Sequence, residues 1–296
     1  MNKLLEFEIN IEDVKIDKTK LLGHGKWGYV YLAEWKKTPV AVKIADSEQF
    51  SLKKEMYQRE LEIMSKIYHP NIVQFLGFIK NPFTIVMEYV GNKSLLNLIN
   101  DQKSSWLSIN KKIDICLDIL KGINYLHTRF NNNIIHRDIK LDNVLLTDTY
   151  KAKIIDFGLS RIVNKKLNTI EYTYEENNLV MGQEIVDLTY PVGTKRYMSP
   201  EIKNNNIYSY KTDIWSIGIL FIELFEDRRY FLEDFIWYKT PIGVQKIIAE
   251  YMIMKNPDER LDASNLIDLF VLEKKKNQIH VVNFDFLHSD ILYLLN

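Results

Sequence analysis

The chain has 296 residues, 46% of them hydrophobic, enough for one large core or two medium ones. Its 39 basic and 39 acidic residues cancel, so neither nucleic acid nor a membrane surface is expected as the main partner. Cys116 is the only cysteine, which excludes an internal disulfide framework and fits a reducing, cytoplasmic setting.

The first residues mix charged and apolar side chains without the apolar stretch of a secretory leader. Residues 17–44 alternate as strands do, with turns at Gly23, Gly25 and Gly28, and the run Val40-Ala41-Val42 ends in the cation of Lys43. Over 51–67, Leu52, Met56, Leu61, Met64 and Ile67 recur at helical spacing with charges between them. Two strands are expected near 72–79 and 83–88. After Gly91 the pattern turns helical. Ile113, Leu117, Leu120, Ile123 and Leu126 line one face of a helix over 109–128, where Cys116 reads as a buried, unreactive thiol. Residues 162–190 lack periodicity and are rich in Asn, Glu, Tyr and Thr, which predicts a long functional or disordered loop. Residues 211–226 are apolar on most faces, as a helix buried all round must be. The apolar run 214–225 is too short to span a bilayer and carries Glu223. Helices near 243–254 and 261–271 complete the chain. The expectation is an α+β fold in one bilobal domain spanning 1–296. Its β-rich lobe covers about 1–88, its hinge about 88–91 and its helical lobe about 91–296.

Residues 136–143 read His-Arg-Asp-Ile-Lys-Leu-Asp-Asn, and Asp156-Phe157-Gly158 follows. Five fixed residue types at this spacing arise by accident roughly once in a few million positions, so the signal is specific. Asp138 can accept a proton from a hydroxyl nucleophile. Asn143 and Asp156 offer hard oxygen ligands that suit Mg2+, and Mn2+ accepts the same donors. Lys140 can set a cation beside a transferring phosphoryl group. This is equipment for phosphoryl transfer. Gly23-His24-Gly25-Lys26-Trp27-Gly28-Tyr29-Val30 lies between two strand patterns, where backbone amides of a glycine-rich turn can cover phosphates.

With these motifs in order, the chain resembles the protein kinase family over residues 15–270. The resemblance implies ATP as substrate and the following roles. Lys43 holds the phosphates and pairs with Glu60, while Glu55 and Glu62 are solvated. Leu22, Val30, Ala41 and Leu145 sandwich the adenine, and backbone groups of Glu88 and Val90 meet its edge beyond Met87. Trp27 caps the phosphates. His136 packs with Phe157, Met64 and Phe75 in a column anchored by Asp213. Glu201, at the end of Gly193-Thr194-Lys195-Arg196-Tyr197-Met198-Ser199-Pro200-Glu201, is buried against Arg260.

Lys140 and Thr194 resemble their counterparts in serine/threonine kinases, whose substrates are proteins; subfamily stays open. Arg137 and Arg161 are expected to form a basic pocket for a phosphate on the long segment. Thr189 is its best-placed acceptor, with Tyr190, Thr169 and Thr173 behind it. The stretch from Glu226 to Gly243 leaves little room for a substrate-docking helix. A binding module on the same fold and a dual-specificity or tyrosine kinase are the alternatives. Asp142 receives no role.

Overall fold

The computed structural model describes residues 4–25, 28–91, 93–129, 132–164, 169–170, 174–175, 178–181, 184–185, 193–205, 208–229 and 236–293. Strands β1 (Val14–Gly25), β2 (Gly28–Trp35), β3 (Thr38–Ile44), β4 (Phe75–Ile79) and β5 (Thr84–Glu88) form one antiparallel sheet in the order β1-β2-β3-β5-β4. The register places Lys43 opposite Ile85 and Ala41 opposite Met87. At the β1–β2 turn Gly25 faces Gly28. Gly28 has φ +129°, and a Cβ there would lie 2.1 Å from the Ile44 carbonyl oxygen, so only glycine fits.

Helix α1 (Ser47–Met64) crosses between β3 and β4. Its buried residues Tyr57, Glu60, Leu61 and Met64 recur at helical spacing, and that period puts Glu55 and Glu62 on the exposed face.

Beyond β5 the chain is mainly helical. Helix α2 (Leu95–Asn100) starts in a reciprocal capping box between Ser94 and Asn97. Helix α3 (Ile109–Thr128) has its expected bounds, is capped by Ser108 and buries Cys116, whose thiol is pushed well up by burial. Strands β6 (Asn132–Ile135) and β9 (Arg161–Asn164) pair, as do β7 (Val144–Leu146) and β8 (Ala152–Ile154). Helix α4 (Pro200–Asn205) precedes helix α5 (Tyr210–Glu226), which is capped by Ser209 and buried on nearly every face. Each fully buried Ile, Leu or Phe of α5 contributes about 1.5–3 kcal/mol, so this helix organises the larger lobe. Helices α6 (Ile242–Tyr251) and α7 (Ala263–Tyr293) close it. The arrangement is the bilobal one that the resemblance implies. Among the described residues no helix is long and apolar enough to cross a membrane.

Some expectations need correction. Helix α7 runs far past residue 271, because no Gly or Pro interrupts its sequence. The stretch 162–190 is not wholly without structure. It carries short strands β10 (Thr169–Ile170), β11 (Tyr174–Glu175), β12 (Asn178–Met181) and β13 (Glu184–Ile185). β10 pairs with β14 (Tyr208–Ser209), and β11, β12 and β13 pair with one another. Strands this short carry no readable alternation. Among the described residues of 227–241 no helix precedes α6. Buried Glu226 accepts hydrogen bonds from the backbone N–H groups of Tyr238, Lys239 and Thr240 and holds those three residues against the end of α5.

Glu201 and Arg260 form a bidentate buried pair, with N···O distances of 2.6 and 2.8 Å. Removing one partner strands a buried charge, whereas Glu62 pairs with Lys66 on the exposed face of α1. In urea denaturation, Glu201→Ala is expected to cost about 3–5 kcal/mol. Glu62→Ala is expected to stay within about 0.5 kcal/mol.

Candidate active site

A cleft of about 380 Å³ lies between the sheet and the helical lobe. The turn residues Gly23, Gly25 and Gly28 line it, with Leu22, Val30, Ala41, Met87, Glu88, Val90 and Leu145. These are the expected lining residues, brought together from β1, β2, β3, β5, β7 and, for Val90, the segment after β5. Glu88 is held from both sides. Its N–H donates to the Gln74 carbonyl (2.9 Å), and its carboxylate accepts from the Gln74 N–H (2.7 Å) and from Lys153 (2.6 Å). Ser94, Leu96, Asn97 and Asp142 also line the cleft and were not foreseen. Ser94 and Asn97 form the capping box of α2, and nothing in their spacing shows what that helix faces.

Lys43 Nζ lies 2.6 Å from Glu60 Oε1 and 3.1 Å from Asp156 Oδ1. Burial alone would lower the lysine's pKa, but the charges of Asp156 and Glu60 outweigh it and hold Lys43 protonated above its ordinary range. Burial in turn pushes Glu60 up, while at Asp156 the attraction of Lys43 overcomes burial and holds the carboxyl down. Asp156 sits at φ 66°, a left-handed conformation unusual for a residue with a Cβ.

The second cluster surrounds Asp138. Its Oδ1 accepts from the Thr194 N–H (3.1 Å) and hydroxyl (2.9 Å). Its Oδ2 lies 2.8 Å from Lys140 Nζ and accepts from the Asn143 amide at 3.0 Å. Lys140 also donates to the Thr194 hydroxyl (3.1 Å). Because Asn143 Nδ2 is committed to Asp138, its Oδ1 is the atom left for a cation. Among the described residues no group of three His, Cys, Asp or Glu side chains stands ready to hold a metal. The donor set is one carboxylate and one amide oxygen. That fits Mg2+, which keeps several waters and takes its remaining ligands from substrate phosphates.

The loop carrying Asp138 is fastened from below. Asp213 on α5 is 1% exposed and accepts from the His136 N–H, the Arg137 N–H and His127 Nε2, each at 2.9 Å. Burial raises its pKa, but these hydrogen bonds, His127's first, prevail and keep it below the ordinary carboxylate value. His136 is a packed residue. Its Nδ1 accepts from the Asp138 N–H, its Nε2 donates to the Ile155 carbonyl, and its ring meets Phe157 edge-on at 5.1 Å. Met64 and Phe75 belong to the same core.

Arg137 and Arg161 are both buried. Arg137 lies 4.6 Å over the ring of Tyr208, and Arg161 donates to the Ser160 carbonyl. Nothing in the spacing of residues 137 and 208 announces that stacking. Trp27, Thr173, Thr189 and Tyr190 lie outside the described residues, as does the side chain of Thr169.

Replacing Asp213 by Ala leaves buried donors without an acceptor, at about 1–3 kcal/mol each. The variant is expected to unfold at lower denaturant and to exchange the amides of 136–138 faster, as hydrogen-exchange mass spectrometry would record.

Residues 16–278 match the family model described as protein kinase domain. The chain is 32% identical over 225 residues to a probable serine/threonine-protein kinase of Dictyostelium discoideum, covering 75% of this chain and 20% of that protein. It is 36% identical over 256 residues to the serine/threonine-protein kinase shk2 of Schizosaccharomyces pombe, covering 83% and 38%. It is 33% identical over 220 residues to the dual specificity protein kinase shkE of Dictyostelium discoideum, covering 73% and 28%. The chain thus spans well under half the length of these relatives. It belongs to the eukaryotic-type protein kinase family, among relatives named for serine/threonine specificity.

Proposed function

We propose that the chain transfers the γ-phosphoryl group of ATP, bound with Mg2+, to serine or threonine hydroxyls of protein substrates. One observation carries this reading. The Asp138 carboxylate, tied to Lys140 and Thr194, also accepts from Asn143, and Asn143 lines the cleft in which Lys43 meets Asp156.

In this reading the backbone of the 23–28 turn covers the phosphates and Lys43 steadies them. Glu60 acts through Lys43 as a positioning residue. Asp156 and Asn143 would hold the metal, which would supply positive charge to neutralise the phosphate oxygens. Asp138 orients the acceptor hydroxyl and takes its proton. The hydroxyl oxygen bonds to the γ-phosphorus as the bond to the β–γ bridging oxygen breaks, and ADP leaves. Lys140 offsets the charge that develops on the transferring group. Leu22, Val30, Ala41 and Leu145 provide the apolar faces for adenine, and Glu88 and Val90 the backbone edge. The resident lysine, both aspartates and Asn143 disfavour a module that only binds.

Dual specificity is the second reading. It is favoured by the relative named for that specificity and opposed by Lys140 and Thr194 beside Asp138.

Incubation with labelled ATP, Mg2+ and a peptide library, followed by identification of the phosphorylated residues, tests the proposal. Label on serine and threonine is expected, with none in excess chelator. Label on tyrosine as well would replace the first reading by the second. Asp138→Asn should lower turnover about 10²–10⁴-fold while nucleotide affinity stays near the wild-type value. Near-wild-type turnover would remove Asp138 from the role of base.

A further inference from the structure

We propose that residues 4–13 form a strap that positions the back wall of the nucleotide cleft, with Phe7 and Ile9 as its positioning residues. The proposal rests on reading this cleft as a nucleotide site. The strap lies ahead of the family-matched segment, which begins at residue 16.

β4 is an edge strand of the main sheet, and an open edge needs cover. The strap supplies it. Glu8 bridges to Phe78 in parallel register, the Ile9 N–H donates to the Phe78 carbonyl at 2.8 Å, and Glu8 pairs with Lys80 at 2.6 Å. The strap crosses the edge at Gly77. A Cβ on Gly77 would lie 2.5 Å from both Ile9 Cδ1 and the Phe7 carbonyl oxygen, so the crossing depends on the missing side chain. Ile9 is buried in the outer-face core with Val40, Val42 and Val86. Leu4 packs against the main core on the other side, and the Phe7 ring meets Phe75 at 5.5 Å.

Phe75 leads to the cleft. It pairs with Met87 across β4 and β5, and its neighbour Gln74 exchanges hydrogen bonds with Glu88. Met87 and Glu88 both line the cleft. A strap seated on Gly77 and Phe75 therefore favours one placement of the wall, and nucleotide binding must favour the seated strap by the same factor.

Two variants test this. Phe7→Ala removes the ring contact at a side chain that is 38% exposed, so folding should survive. Gly77→Ala evicts the strap by collision. Affinity for MgADP is read by calorimetry, and strap seating by amide exchange of residues 4–13. Each variant should weaken MgADP about three- to tenfold, the worth of one aromatic contact. The double variant should be no weaker than the worse single one, and Phe7→Leu should recover most of the loss. MgADP should slow strap exchange in the unmodified chain. Faster strap exchange with unchanged affinity in both single variants would overturn the proposal. So would unchanged strap exchange in Gly77→Ala. Nucleotide binding without phosphotransfer by the unmodified chain would count against the proposed function alone.

Discussion

The carboxylate of Asp213 is the fixed point from which the rest of the site is built. A charge at 1% exposure is costly unless it is hydrogen-bonded, and here the His136 and Arg137 amides and His127 provide the bonds. The consequence reaches outward in steps. Arg137 adopts φ 70°, a conformation that persists only where surroundings hold it, and Asp213 grips its N–H. The Arg137 carbonyl then faces Gly193 so closely that a Cβ there would lie 2.8 Å from the oxygen. Gly193 brings in Thr194, and Thr194 fixes the Asp138 carboxylate through both its N–H and its hydroxyl. The chemistry of Asp138 is thus set by a side chain on a helix it does not belong to.

The two lobes meet through a second charge. A lone lysine buried at the position of Lys43 would shed its proton. Glu60 comes from α1 and Asp156 from the turn after β8, and neither belongs to the strand that carries Lys43. Keeping Lys43 charged therefore requires α1 and the Asp156 turn to stay close to the sheet at once. The left-handed backbone of Asp156 is consistent with a residue held by its partners and not by local preference.

Legibility from sequence followed physical locality. Helix α3 could be read to its ends because a serine cap and a regular apolar stripe are local signals. The resemblance separates Glu60 from Glu62, and the helical period, which places two residues apart on different faces, agrees with the exposure of Glu62. The bidentate Glu201–Arg260 pair and the edge-on His136–Phe157 contact agree with the roles the resemblance implied. What escaped was non-local. Tyr208 meets Arg137 across a gap that no periodicity spans. The strap rests on isolated apolar residues, Phe7 and Ile9, without a stripe. Gly77 falls inside the strand expected near 72–79, and nothing local announces that it leaves space for another segment.

The Glu201–Arg260 pair raises the question of why a buried charge is retained where an apolar pair of similar volume could be as stable. The answer lies in what else Arg260 touches. Its guanidinium donates to the carbonyls of Met254, Lys211 and Lys255 and lies 5.1 Å over the ring of Trp215. A leucine or methionine at 260 could fill the volume but would donate to none of these carbonyls. Arg260 therefore joins the loop before α7 to the start of α5. Through Glu201 it also holds the end of the segment that begins at Gly193. The same segment supplies Thr194 to Asp138, so the charge is kept for the connections it makes, and those connections end at the Asp138 carboxylate.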